Sequence, residues 1–359
     1  MRSQPPKYGR VLENLKEKIL SGDYPQGTKL PSETQLMQEY GFSRQTVRKA
    51  LEQLAIQGWI ETRQGMGSIV TRYQTHSEPF RREILLLVHY PDHNFFPHYI
   101  NGIERVLHRS QYTLVTKFTH NRAEVEGQLL EEALGARYAG ILLFPAQSAR
   151  LRENLYLYHA LEQSGTPAVL ISNPVLDTTL PVVTLDDYAA GYLAGQHLAG
   201  LGHKSMICLM NREDHSSHLR HAGFLAACRA YGLTYDTDRT IWIQREALQS
   251  LFIDEMPLLS SLKGSTAAFC YNDDVAFRLV RLLMGRGIRI PDEYSVLGCD
   301  DSEFASLCPV PLTTVRQNPQ AIGEAAASEL LLRLQDPKHS ASRTFPPELI
   351  VRSSTARIS

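Results

Sequence analysis

Apolar and polar positions divide the chain into a short head and a long alternating body. In the head, Tyr8, Val11, Leu12, Leu15 and Ile19 recur at helical spacing and predict an opening amphipathic helix. Gly22, Pro25 and Gly27 break it. Ser32 suits an N-cap for a second helix, with Glu33 at its positive end. Leu36 and Tyr40 are expected to face inward, and Gly41 to end the helix with a left-handed residue. Ser43 caps a third helix. At roughly 100° per residue, Val47, Ala50, Leu51 and Leu54 gather on one face. Arg44, Gln45, Arg48 and Lys49 gather on the other. A β-hairpin follows, with its turn expected at Gln64-Gly65-Met66-Gly67. Two short helices and a hairpin in this order outline a winged helix-turn-helix.

Beyond residue 72 the period changes. Residues 73–82 are polar, contain Pro79 and show no periodicity, so they read as a linker between residues 1–72 and residues 83–359. Buried-strand runs then recur at Ile84–His89, Leu114–Phe118, Gly140–Phe144, Ala168–Ser172, Met206–Met210, Ala267–Cys270 and Val296–Cys299. Helical patterns separate most of them, at Tyr99–Arg109, Ala123–Leu134, Tyr188–Leu201, Leu219–Tyr231 and Val275–Arg286. Such alternation predicts parallel sheets covered by helices, and the span suffices for two lobes. Ligands in open α/β sheets bind at the carboxyl ends of strands, here between the lobes.

The exposed face of the third helix carries long donors near its N-terminus. That geometry suits Arg on guanine edges and other donors on phosphate, although a solvated basic face has the same pattern. The segments LPSETQL, GFSRQTVRKAL and GWIETRQGMGSIV tip the balance, because together they closely resemble the DNA-binding domain of GntR-type regulators from about Lys7 to Thr71. The resemblance implies that Thr34, Ser43, Arg44, Gln45, Thr46 and Arg48 face DNA, where the family commonly places Arg at the position of Thr34. It places Gln64 and Gly65 in or beside the minor groove. Lys49 is expected to join them from the same helix face.

Polar residues cluster at the ends of the body's strands: Asn94 to Tyr99, Gln147 and Ser148, Asp186-Asp187, Tyr271 to Asp274, and Asp300-Asp301, with Arg220 near the start of a helix. Each Asp or Asn alone could be a helix cap. Converging, they suit a polyhydroxylated ligand: carboxylates accept hydroxyl hydrogens, Arg donates in a fork and a ring packs on a sugar's C–H face. FFPHYINGIERVL, GTPAVLISN, VVTLDDYAAGYLAGQHLAGLGHKSM, LRHAGF, FCYNDDVAF, IRIPDEYSVLGCDD and PLTTVRQ resemble the effector domain of LacI-type repressors over nearly all of residues 83–359. That resemblance implies a multidomain α/β protein whose body is a two-lobed, periplasmic-binding-protein-like (type I) effector domain. It implies effector contacts at Phe96, Arg220, Asn272 and Asp300. His98, Tyr99, Asp186, Asp273 and Gln317 complete the expected effector set. Pro319 occupies a position where the family often has an aromatic, so that wall is expected from elsewhere.

A GntR-type head on a LacI-type body is the arrangement of the L-arabinose-responsive repressors of Gram-positive bacteria, which TLDDYAAG, CYNDDVAF, GCDDSEFAS and FPPELIVRSS also resemble. The resemblance implies a homodimer on double-stranded operator DNA, no cofactor, and L-arabinose as the effector that releases it. The residues alone leave open another pentose, a phosphosugar or a purine.

Composition narrows the remainder. Residues 1–72 hold eleven Lys/Arg against seven Asp/Glu, leaving 26 against 31 for the rest, a basic head on an acidic body. No stretch is apolar enough to span a membrane, and no apolar run follows Met1 as a signal peptide would require, so cytoplasmic residence is expected. Cys208, Cys228, Cys270, Cys299 and Cys308 show no C-x-x-C spacing and read as reduced, buried thiols. The absence of P-loop, G-x-S-x-G and H-E-x-x-H patterns argues against an enzyme.

Overall fold

The computed structural model describes residues 7–20, 22–56, 59–63, 67–71, 82–90, 95–136, 138–150 and 154–358. The head begins with α1 (Lys7–Leu20), α2 (Glu33–Tyr40) and α3 (Arg44–Ile56), followed by β1 (Ile60–Arg63) and β2 (Gly67–Val70). Ser32 and Gln35 form a reciprocal capping box at α2, and Gly41 ends that helix at φ 67°. Ser43 Oγ accepts from the Thr46 amide at 3.4 Å, the expected cap of α3. Val11, Leu15, Leu36, Val47, Ala50 and Leu54 are buried with Trp59, Ile60 and Val70, so the apolar faces read from the sequence meet in one core. Tyr40 is half-buried and donates to Asn14 Oδ1 at 2.7 Å. β1 and β2 pair antiparallel, Ile60 opposite Val70. The tip residues Gln64 and Gly65 lie outside the described residues, as does the expected linker except for Arg82.

The body starts with β3 (Glu83–Val88), α4 (Phe96–Arg109), β4 (Thr113–Phe118), α5 (Ala123–Gly135), β5 (Gly140–Leu143), α6 (Leu155–Gln163), β6 (Ala168–Ile171) and β7 (Val182–Leu185). The chain then runs through α7 (Asp187–Gly200), β8 (Met206–Asn211), α8 (His215–Ala230), β9 (Thr240–Ile243), α9 (Arg245–Ile253) and α10 (Glu255–Leu262). It continues with β10 (Ala267–Cys270), α11 (Asp273–Gly285), β11 (Ser295–Asp300), α12 (Glu303–Leu307) and β12 (Thr313–Arg316). It closes with α13 (Pro319–Gln335), β13 (Arg343–Phe345) and β14 (Glu348–Ile350).

Two six-stranded sheets result, ordered β13-β7-β6-β5-β3-β4 and β14-β12-β11-β10-β8-β9. All neighbours are parallel except β12 and β14. The chain changes lobe three times: between β7 and α7, between β12 and α13, and between β13 and β14. Asp186 and Gln317 therefore sit on hinges. All seven expected strand runs form. The strands β7, β9, β12, β13 and β14 were not among them, because each is short and none is an unbroken apolar run.

Each lobe carries one helix pair in unusually close contact, α4 with α13 and α7 with α8. A Cβ on Gly323 would lie 2.4 Å from the Tyr99 carbonyl oxygen, and one on Gly191 only 1.7 Å from that of Arg220. Glycine at these crossings seats two side chains that face the cleft.

Candidate functional site

On the head, Thr34, Ser43, Arg44, Gln45, Arg48 and Lys49 are exposed and Thr46 is half-buried. Arg44 Nε donates to Glu33 Oε2 at 2.7 Å, and Arg48 Nε to Glu52 Oε1 at 3.3 Å. Lys49 Nζ lies 4.4 Å from the centre of the Tyr8 ring. These exposed pairs are weak, so the donors are cheaply redirected to a polyanion. Arg44, Gln45, Arg48 and Lys49 share the exposed side of α3, Ser43 and Thr46 sit at its first turn, Thr34 lies on α2, and Gln64 and Gly65 fall outside the described residues.

The second site is a cleft between the lobes. Phe96, Tyr99, Arg220, Asn272, Asp300 and Gln317 all line it. Arg220 is buried. Its Nε donates to Asp187 Oδ1 at 2.8 Å, its Nη1 to the Tyr271 carbonyl at 2.5 Å, and Nη1 lies 3.6 Å from Asp300 Oδ1. Gln317 Nε2 donates to the same Asp300 oxygen at 2.7 Å, while Tyr99 OH donates to Gln317 Oε1 at 3.3 Å. Hydrogen bonds and charge thus run from one lobe through the hinge to the other.

Asp300 adopts φ 118° and Asp301 φ 54°, left-handed values that strain residues with a Cβ. Asp301 is clamped by Arg316 Nε at 2.7 Å and Arg352 Nη2 at 2.5 Å, which holds the strained turn in place. Burial raises the carboxyl pKa of Asp300, and the Arg220 guanidinium opposes that rise. Burial also raises that of Asp187, again against Arg220.

The aromatic wall expected from somewhere other than Pro319 comes from the first lobe. Phe144 meets Phe96 edge-on at 5.3 Å and Tyr99 at 5.0 Å between ring centres. Pro319 instead opens α13. Across the mouth, the Arg245 guanidinium carbon sits 3.6 Å from the centre of the Tyr90 ring.

Three expected effector contacts do not line the cleft. His98 is exposed on α4. Asp186 caps α7, accepting from the Ala189 amide at 2.9 Å, so its carboxylate is spent on the hinge helix. Asp273 is buried beneath the floor, where it accepts from Thr314 Oγ1 at 2.6 Å and the Ser302 amide at 2.7 Å. A Cβ on Gly298 would collide with it at 2.3 Å, so this carboxylate packs onto a bare strand rather than toward ligand.

Other lining residues were not anticipated: Tyr90, Asn121, Asn173, Asn211, Asp214 and Arg245. Each lies at or just beyond the carboxyl end of a strand, so the strand-end rule could have found all six. Asp214 is the most telling. Its Oδ2 accepts from Asn211 Nδ2 at 2.6 Å, while its buried Oδ1 has no hydrogen-bond partner among the described residues. Burial first, then the neighbouring Glu213 charge, pushes its carboxyl up to about 6.

The cleft offers two carboxylates, five side-chain amides from Asn121, Asn173, Asn211, Asn272 and Gln317, and an aromatic wall. Its Arg220 is already committed to the protein. That is an inventory for hydroxyl groups. Among the described residues no His/Cys/Asp/Glu cluster could hold a metal ion, all five cysteines are free and buried, and no helix is long and apolar enough to cross a membrane.

Residues 7–70 match the model of bacterial regulatory proteins of the gntR family, and residues 196–355 match that of the periplasmic binding protein-like domain. The arabinose metabolism transcriptional repressor of Halalkalibacterium halodurans is 31% identical over 98% of this chain and 96% of its own. That of Geobacillus stearothermophilus is 31% identical over 98% of each chain. This chain belongs to the family of GntR-headed, LacI-type transcriptional repressors.

A LacI family regulator from Enterococcus faecium with bound ribose superposes at TM-score 0.66, with 26% identity, covering 77% of this chain and all of that one. The transcriptional regulator CelR in complex with cellobiose superposes at TM-score 0.71 over 98% of this chain and 100% of its own. At 20% identity it supports the fold alone. The protein is accordingly a transcriptional repressor with a winged-helix head and a LacI-type effector-domain body, and its homologues are transcriptional repressors rather than enzymes.

Proposed function

We propose that this repressor silences sugar-utilisation genes as a homodimer and leaves its operator when L-arabinose binds between the lobes. The reading rests on the cleft, where Arg220, Asp300, Gln317 and Tyr99 join the two lobes through one hinge residue beside an aromatic wall. A ligand that bonds to these groups has different contacts in open and closed lobes, which is the requirement for shifting between two states. The two relatives named for arabinose metabolism favour this sugar. In this reading Thr34, Ser43, Arg44, Gln45, Thr46 and Arg48 contact operator DNA, with Lys49 on phosphate and Gln64 and Gly65 at the wing.

A second pentose is the alternative, favoured by the ribose bound in the Enterococcus faecium regulator. Calorimetry with free and phosphorylated pentoses, paired with mobility shifts on DNA upstream of neighbouring sugar genes, separates these readings. A pentose-sensitive shift supports the proposal. A shift indifferent to every pentose overturns it.

A further inference from the structure

The DNA-binding head does not hang free of the body. Helix α1 packs on α6 of the first lobe. Lys16 on α1 is 2% exposed, and its ammonium donates to Glu131 Oε1 on α5 at 2.7 Å. Tyr156 OH, near the start of α6, donates to Glu13 Oε2 of the head at 2.7 Å and approaches Glu131 Oε1 at 3.4 Å. A buried ammonium is costly unless it is paired, and its close partner here belongs to another domain. Because α1 also packs on α3, this seat sets where the DNA-facing helix points.

The N-terminal end of α5 is tied to the loop after β5. Glu126 on α5 is fully buried and accepts from Asn154 Nδ2 at 2.9 Å and Tyr158 OH at 2.7 Å, both at α6. It also accepts from the Ala146 amide, in the loop after β5. That loop crosses to the second lobe: the Ala149 amide donates to the Glu213 carbonyl at 3.0 Å, and Ser148 Oγ accepts from the His215 amide at 2.9 Å. Asp214, whose carboxylate lines the cleft, lies between those two contacts.

We propose that the α1–α6 seat is a regulatory interface: rearrangement at the cleft reaches the head through the loop after β5, the buried Glu126 clamp and α6. Ligand that moves the segment around Asp214 pulls on Ser148 and Ala149. Glu126 ties that displacement to α6, and Tyr156 with Glu131 passes it to α1. The seat itself is independent of the effector's identity; its regulatory consequence rests on the proposed sugar response.

Two experiments on the full chain test these parts separately. Zero-length carbodiimide coupling, read by peptide mass spectrometry, should join Lys16 to Glu131. The pair Lys117–Glu132, 2.6 Å apart within the first lobe, is the internal control. Coupling of the control without Lys16–Glu131 overturns the seat, whatever the ligand. Next, Tyr156→Phe, Glu131→Lys and Glu126→Gln are compared for operator affinity with and without L-arabinose, and for sugar affinity by calorimetry. The roughly 5–150-fold sugar effect expected of an allosteric repressor should fall toward unity. Sugar affinity should stay within about threefold. Tyr156→Phe alters a peripheral hydroxyl and keeps the test valid should Glu126→Gln fold poorly. A full sugar effect in folded Tyr156→Phe and Glu131→Lys overturns the coupling. Absence of any effect in the unsubstituted chain overturns the L-arabinose reading and the coupling built on it, and leaves the crosslink to judge the seat.

Discussion

Gln317 donates to Asp300 at 2.7 Å and accepts from Tyr99, so one hinge amide holds a carboxylate of the second lobe and a phenol of the first. Its position between β12 and α13 makes it part of a lobe crossover as well as part of the cleft wall. Replacing it with Ala frees Asp300 from one buried donor and leaves Tyr99 without its acceptor. Sugar affinity should fall by about 1–3 kcal/mol. Calorimetry reads the loss, and mobility shifts should show sugar-free operator binding within twofold of the unsubstituted chain.

Arg48→Ala removes a donor from the exposed face of α3 and gives up its surface pair with Glu52. Thermal stability should change by less than about 0.5 kcal/mol. Operator affinity should fall by about 1–3 kcal/mol per half-site, doubled in a dimer. Equal binding of the variant to operator and random DNA is the expected signature.

Arg220→Ala leaves Asp187 and Asp300 buried without their shared cation. Breaking such a cluster costs about 3–5 kcal/mol, so the melting temperature should drop clearly. The folded fraction should bind operator and ignore sugar. Normal induction by this variant would move the effector site elsewhere.

Asp214 supplies a pH signature. Its carboxyl is pushed up to about 6, above the usual aspartate value, so the ligand-free fold binds more protons than the unfolded chain between about pH 4 and 6. Its contribution therefore favours the fold at low pH and fades as pH rises through that window. Ligand binding runs the other way: a sugar hydroxyl donating to the unpartnered Oδ1 favours the ionised form. Sugar affinity should rise from pH 5 to 7, and Asp214→Asn should flatten that part of the rise. Calorimetry in buffers of different ionisation heat checks it, because wild-type binding should release protons near pH 6 and the variant fewer.

Gly191→Ala drives a methyl group into the Arg220 carbonyl, 1.7 Å away. Overpacking of this kind costs about 1–3 kcal/mol, and it should loosen Arg220 as well. Gly285→Ala meets nothing within 4 Å and serves as the neutral comparison. Denaturant unfolding of the two variants should separate them.

The sequence alone carried the kind of each element, because helical and strand periods are local properties. It assigned the three head helices, the hairpin and seven body strands. It placed Arg44, Gln45 and Arg48 on one face, since an α-helix fixes the relative direction of side chains four residues apart. Motifs legible as unbroken strings were enough to indicate the GntR-type head and the LacI-type body. Local reading could not separate a capping carboxylate from a ligand-facing one. Asp186 and Asp273 follow or precede strands just as Asp300 does, yet Asp186 caps a helix and Asp273 turns beneath the floor onto Gly298. Only the packing of strands from both lobes decided which strand ends converge. It brought Asp214, Arg245, Tyr90 and three asparagines into the cleft, from positions far apart in the chain. The tertiary structure also set the head against α6 through Lys16, Glu131 and Tyr156. Direction along one element is written in its period, whereas contact between elements depends on chain crossovers and on the glycines that let helices approach.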